Sequence, residues 1–162
     1  MIDIHPDARV SKFSDIEDSV RGCSNVFGAN SMTESFVKIK SVVGTRAVII
    51  GTHTYINTGC VLYSGNGIAI GDNVAIAVNC SLAPVNQAYQ DRERFFSMED
   101  FIQSKGGILM QDDVWIGANC VILDGAILRE VVVIAGGSIV LGELQAYGIH
   151  AGFPLQLKGC LQ

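Results

Sequence analysis

The chain has 162 residues, 49% of them hydrophobic and 17% charged, with a net charge of −5. That length suggests one domain, the apolar share supplies a substantial core and argues against disorder, and the acidic balance gives no basic footprint for nucleic acid. No apolar run approaches the roughly 20 residues of a membrane span, and the acidic start MIDIHPDARV is unlike a signal peptide, so no targeting segment is expected. Five cysteines without a CxxC pair argue against a disulfide framework or a zinc site and fit a reducing cytosol.

From the N-terminus the chain divides into sixes. It begins IHPDAR, VSKFSD, IEDSVR, and a weaker set follows as FGANSM, TESFVK, IKSVVG. The frame is clear in IGTHTY, INTGCV, LYSGNG and, after a two-residue slip, in IGDNVA, IAVNCS, LAPVNQ. It stops there and resumes at Met110 as MQDDVW, IGANCV, ILDGAI, LREVVV, IAGGSI, VLGELQ. The first place is nearly always aliphatic and the fifth small or β-branched. The eighteen glycines do not fall on every third residue, which excludes collagen.

A period of six fits neither a helix nor simple strand alternation. It suits a chain that makes a short strand, turns a corner and starts another strand. First-place aliphatics and fifth-place small residues then point inward, while Gly, Asn or Asp near the corner tolerates positive φ. Three sixes close one triangular coil, and the six triplets stacked at strand spacing make a prism roughly 29 Å tall. Cys60, Cys80 and Cys120 fall on the fifth place and read as small buried hydrophobes; Cys23 and Cys160 lie outside the frame. The expected organisation is an all-β, three-sided parallel coil over 1–145 with an extruded loop at 83–109. A C-terminal extension, 146–162, is expected to fold back over the wall. Flat apolar faces on so small a prism favour self-association.

The frame, together with DDVWIGANCVILDGA, IAGGSIV and AYGIHAGFPLQLKG, resembles the hexapeptide-repeat acyltransferases, in particular their polysaccharide and sugar O-acetyltransferase branch. The likeness covers nearly the whole chain. It implies a left-handed parallel β-helix, a homotrimer with sites in the clefts between prisms, acetyl-CoA as donor and a place in polysaccharide biosynthesis. Carried onto this sequence, it puts Trp115, Ala118, Gly136 and Gly137 beside the thioester arm, and Gly152, Pro154 and Lys158 near the nucleotide end. Small residues suit that role because a backbone N–H reaches a thioester carbonyl only where no side chain intervenes, and Lys158 offers a point charge for phosphate. The bland reading of the same glycines is that they turn corners.

The resemblance breaks at one residue. In the family a histidine follows APxN and acts as general base on the acceptor hydroxyl, a task suited to its near-neutral pKa. Here Asn86 is followed by Gln87, whose amide cannot take up a proton. General-base help is typically worth 10²–10⁴-fold, in round figures about three orders of magnitude. Either activity is reduced, or another residue is the base, or the acceptor needs none. An amine acceptor, an inactive paralogue and an engineered replacement all fit the substitution.

Of the three histidines, His53 is the expected substitute base; His5 and His150 read as surface residues. Tyr89 and Asp91, in the extruded loop, are expected near the acceptor, and Phe95 and Phe96 are expected to anchor that loop on the prism or on a neighbour. Metal-dependent hydration needs converging histidines from adjacent coils, which the sequence lacks, so no metal is expected. The sequence therefore points to a cytoplasmic, trimeric, acetyl-CoA-dependent acetyltransferase acting on a saccharide. The alternative is a catalytically silent trimeric scaffold or binding protein.

Overall fold

The computed structural model describes residues 1–18, 24–42 and 46–162; Cys23 lies outside them. Strands of two to five residues follow one another around three faces. Face A stacks seven strands, from Ile2–Ile4 to Glu143–Leu144. Face B stacks eight, from Arg9–Val10 to Gly148–Ala151 and Gln156–Cys160, and face C six, from Asp15–Ile16 to Ile139–Val140. Six coils visit all three faces and a seventh visits A and B. Each strand pairs in parallel with its counterpart one coil away. The chain folds as a left-handed parallel β-helix: the repeat leads one to expect the three-sided coil and the resemblance its hand.

The register explains why the period is six. First-place residues stack into three interior columns. Face A carries Phe27, Ile50, Ile70, Met110 and Leu128. Face B carries Ile56, Ile76, Ile116 and Ile134, and face C carries Ile39, Leu62, Leu82, Ile122 and Val140. All of these are buried. Truncating a mid-column residue such as Ile116 to alanine would leave a void closed in by rigid strands above and below, at a cost of about 2–5 kcal/mol.

Two corners, A to B and B to C, are tight turns with one residue in the left-handed region. At A–B these include Asn30, Asn73 and Asp113; at B–C they are Gly59, Asn79, Asn119 and Gly137. Such residue types accept that backbone readily. His53 and Val131 at A–B, and Phe36 at B–C, occupy the same positions with bulkier side chains. The coils are linked at the corners as well as along the strands: Asn119 N–H donates to Val78 O (3.0 Å) and Gly137 N–H to Ala118 O (2.8 Å). Gly117 is what allows this approach, because a Cβ there would stand 2.5 Å from Gly136 N.

The fifth-place cysteines are buried and free, and they do more than fill space. Each thiol donates to a corner carbonyl one coil on: Cys60 to Ala77 O (3.1 Å), Cys80 to Gly117 O (3.2 Å), Cys120 to Ala135 O (3.3 Å). Ser138 continues the column, donating to Ala135 O (2.6 Å) and accepting from Gly152 N–H (3.0 Å).

The third corner, C to A, carries the extruded loop between the strands Ser81–Ala83 and Ile108–Met110. Asn66 Nδ2 holds its exit by donating to Pro84 O (2.6 Å). Buried Asp124 holds its return, accepting from Lys105 N–H (2.7 Å), Gly107 N–H (2.9 Å) and Ser104 Oγ (3.3 Å).

The C-terminus departs from expectation. Parallel stacking continues past 145 to Ala151, so that residue 145 is not the end of the coil. The chain then reverses, and Gln156–Cys160 adds an antiparallel strand to the edge of face B rather than crossing a wall. His150 is also not a surface residue. It takes the first-place position above Ile134 in the interior column of face B and is only 7% exposed.

Candidate functional site

Five of the residues matched to the donor site collect at the B–C corner of the upper coils. Ala118 turns that corner in coil five, Gly136 and Gly137 in coil six, and Gly152 and Pro154 follow the seventh strand of face B. Their vertical alignment follows from the strand register, which pairs Trp115–Ile116 with Val133–Ile134 and the latter with Ile149–His150. Gly136, Gly137, Gly152 and Pro154 are exposed. A Cβ on Gly137 would meet no atom within 4 Å, so the corner presents bare backbone to an open side. Trp115 stands on face B just before this corner, pointing out, 57% exposed. Lys158 lies on the reversed strand, exposed, its Nζ donating to Gln156 Oε1 (2.8 Å).

A second group lies at the C–A corner, in the neck of the loop. Asn86 O accepts from Ile102 N–H (2.9 Å) and Ala88 N–H donates to Asp100 O (2.9 Å), so residues 86–88 and 100–102 run antiparallel. Gln87 is inside this neck. Its Nε2 donates to Phe96 O (2.8 Å) and Glu99 O (2.6 Å), which uses both amide protons to close the loop on itself. Tyr89 is exposed, and Asp91 Oδ1 accepts from Glu93 N–H (3.0 Å) within the loop. Phe95 and Phe96 are 75% and 64% exposed, so they do not anchor the loop on its own prism.

The substitute base expected from the sequence stands elsewhere. His53 is exposed at the A–B corner of coil three, its backbone at φ 51°. Gln87, His53 and the glycine-lined edge therefore occupy three different corners of one chain, and the structure does not bring them together. His5 is exposed, its Nδ1 accepting from Asp7 N–H (3.2 Å). Burial lowers the His150 pKa, with a Gly148 backbone contact opposing the shift. Among the described residues no three His, Cys, Asp or Glu side chains form a cluster able to hold a metal ion.

Three parts of this arrangement were not singled out in the sequence. Gly117 and Asp124 lie inside stretches quoted for the repeat, IGANCV and ILDGAI, yet the period marks both only as corner residues. The close Gly117–Gly136 approach and the three bonds to Asp124 are contacts between coils, which a within-repeat pattern does not display. The third is the outer surface of face A, where Ile49 and Leu109 are 47% and 40% exposed. Both line an open groove of about 410 Å³ with Arg46, Asn66 and Ala69.

No family model matches the chain. It is 30% identical over 112 residues to the galactoside O-acetyltransferase of Escherichia coli, a match spanning 67% of this chain and 51% of that protein. A hexapeptide-repeat acetyltransferase of Vibrio cholerae, solved with acetyl-CoA, superposes with a TM-score of 0.74 at 27% identity, covering 84% of this chain and 70% of that one. The proteins this chain matches are hexapeptide-repeat acetyltransferases. The N-acyltransferase AntD of Bacillus cereus, solved with dTDP and 3-hydroxybutyryl-CoA, shares the fold at a TM-score of 0.81 and 18% identity, covering 99% of this chain and 83% of its own. The chain spans about half the length of the curated galactoside O-acetyltransferase it matches. Among the described residues no helix is long and apolar enough to cross a membrane.

Proposed function

We propose that the chain is a cytoplasmic acetyltransferase that uses acetyl-CoA to acetylate a sugar or surface-polysaccharide precursor, with sites between the subunits of a homotrimer. The observation that carries this reading is the bare-backbone edge formed by Ala118, Gly136, Gly137 and Gly152 beside exposed Trp115. Acetyl-CoA supplies the acetyl group as a thioester: the acceptor heteroatom bonds to the carbonyl carbon, the C–S bond breaks and the acceptor's proton ends on the released sulfur.

The chain's own residues supply the rest. The corner offers peptide groups at close range because no side chain stands in front of them, and such fixed dipoles stabilise a developing oxyanion. Trp115 gives the donor arm an apolar wall, and Lys158 together with the turn at Gly152 and Pro154 suits its phosphate end. Asn86, Tyr89 and Asp91 belong to the acceptor side, with Tyr89 and Asp91 open to solvent.

The separation of these groups within a single chain supports the trimeric reading. Faces from two subunits must meet before the loop corner of one approaches the glycine edge or His53 of another. Face A, with Ile49, Ala69 and Leu109 turned outward, suits a subunit contact. Phe95, Phe96 and Met98, uncovered on their own prism, suit a neighbour.

Gln87 sets the limit. With both amide protons committed to Phe96 O and Glu99 O, it secures the loop and takes no proton from an acceptor. A neutral amine, which attacks with less help than an alcohol, is the acceptor that fits; His53 from another subunit is the base that fits if the acceptor is an alcohol. The same observation favours one other reading, a silent trimeric binding protein. Chromatographic measurement of CoA released from acetyl-CoA, with a panel of amino sugars and glycans, tests the choice. Release above background with an amino sugar supports the enzyme; no release while CoA still binds supports the silent protein.

A further inference from the structure

At the lower end of the same B–C edge, Phe13 and Phe36 stack with ring centroids 6.2 Å apart and planes inclined by 27°. Both rings are largely exposed, at 59% and 62%. Lys12 Nζ lies 5.1 Å from the Phe13 centroid. Phe36 holds its backbone at φ 64°, the place that the coils above fill with Gly59, Asn79, Asn119 and Gly137. A bulky aromatic in that region is a true outlier, and its side chain is not repaid by burial.

Next to the pair, on face B of coils one and two, is an open pocket of about 440 Å³ lined by Arg9, Ser11, Met32 and Glu34. Among the described residues neither Arg9 nor Glu34 is in a salt bridge. One donor fork and one acceptor pair thus stand without an ion-pair partner beside an exposed aromatic pair. That combination suits a pyranose ring, whose C–H face lies on an aromatic ring while its hydroxyls reach charged hydrogen-bonding groups. Glu34 makes the same place unsuited to a phosphate. A second copy of the chain is the poorer occupant, since face A already offers a more apolar surface, with Ile49, Ala69 and Leu109 turned outward, and this patch carries Lys12, Arg9 and Glu34.

We propose that Phe13 and Phe36, with Arg9 and Glu34, form a saccharide subsite remote from the acetyl donor. The inference deepens the sugar-acetyltransfer reading and rests on it for the ligand's direction. Phe36 lies three coils below Ala118, which at strand spacing is about 14 Å. A single sugar cannot touch both, so the acceptor is an oligosaccharide or polysaccharide chain laid along the edge, and the aromatic pair holds a sugar unit other than the one acetylated.

The test uses the full chain on an array of linear tetra- to hexasaccharides, with CoA binding measured by calorimetry alongside. The native protein is expected to capture a subset of these glycans. Phe36→Asn is expected to reduce that capture at least tenfold, with CoA affinity unchanged and a melting temperature no lower than native, since Asn suits the backbone that Phe strains. Phe13→Ser is expected to act in the same direction. No capture by a native protein that binds CoA overturns the subsite alone. So does capture indifferent to both changes, a lower melting temperature for Phe36→Asn, or a smaller oligomer in either variant, which would make the pair a packing or subunit contact. Glycan capture without CoA binding leaves the subsite standing and defeats the acetyltransferase reading instead.

Discussion

Gln87 Nε2 donates to Glu99 O at 2.6 Å, tying the exit of the extruded loop to its return. The second proton of the same amide goes to Phe96 O, so one side chain, itself exposed, closes a largely exposed loop. Gln87→Ala removes both bonds. Limited trypsin digestion should then cut at Arg92 and Arg94 several-fold faster, while the melting temperature of the prism shifts little, because Asn66 and Asp124 hold the loop's base independently. Unchanged cleavage would mean that the amide bonds do not order the loop.

The same geometry shapes the obvious rescue experiment. Gln87→His adds a group able to accept a proton, but an imidazole cannot reproduce two donations from one nitrogen. The expected result is a gain in acetyl transfer to hydroxyl acceptors within about 10²–10⁴-fold, together with faster loop proteolysis. A gain without loop loosening would show that the histidine finds other partners in the neck.

Gly117 is a second point where one atom decides. An alanine Cβ there would press on Gly136 N at 2.5 Å, a backbone atom that cannot turn aside. Gly117→Ala should destabilise the fold by about 1–3 kcal/mol, the usual cost of overpacking, read as a lower urea midpoint at an unchanged slope. Gly137→Ala meets no neighbour but has φ 73°, so its smaller cost is one of backbone alone.

The pH dependence should carry a histidine limb. Burial, opposed by the Gly148 backbone, holds the His150 pKa below its ordinary value, so folding favours the neutral ring. As pH falls through about 6.5 the unfolded chain takes up the proton first. Stability should therefore decline on acidification from neutrality and stop declining below the folded-state pKa. His150→Leu should abolish that limb. A separate limb should remain at lower pH from Asp15 and Glu17, whose carboxyls Lys40 holds below their usual range and whose contribution disappears as they protonate.

Thiol chemistry offers a fifth check. Cys160 is exposed, whereas Cys60, Cys80 and Cys120 are buried. Neighbouring Cys80 and burial push the Cys120 pKa up. The Cys80 pKa is about 11: its contact with Cys120 lowers it, but the Cys60 thiol and burial outweigh that. Iodoacetamide followed by peptide mapping should label Cys160 in the native protein and the other three only after unfolding. Rapid labelling of Cys80 in the folded state would contradict the closed column.

The fold was legible because its information is periodic. Ile116, Ile122, Leu128 and Ile134 each declare an inward side by position alone, and the strand register turns that position into a column. The glycine-lined edge was legible for the same reason, since residues three hexads apart must share a corner. What the period could not convey is contact between coils. The Gln87 amide reads as a failed base until its partners at 96 and 99 are seen. His53 and Gln87 lie in neighbouring coils, yet they stand at different corners. His150 falls beyond the last clear hexad, and only its pairing with Ile134 reveals that it continues an interior column.

Apart from the antiparallel edge strand Gln156–Cys160, strand pairing on each face joins like to like from one coil to the next. The molecule can therefore change length only in whole coils if its cross-section is to survive. Features on one edge are separated by fixed increments of about 4.8 Å, so the interval between the Phe13–Phe36 pair and the glycine corner is quantised. Gain or loss of one complete coil between them would shift that interval by a single step and alter which sugar along a chain is presented, with no change to either end.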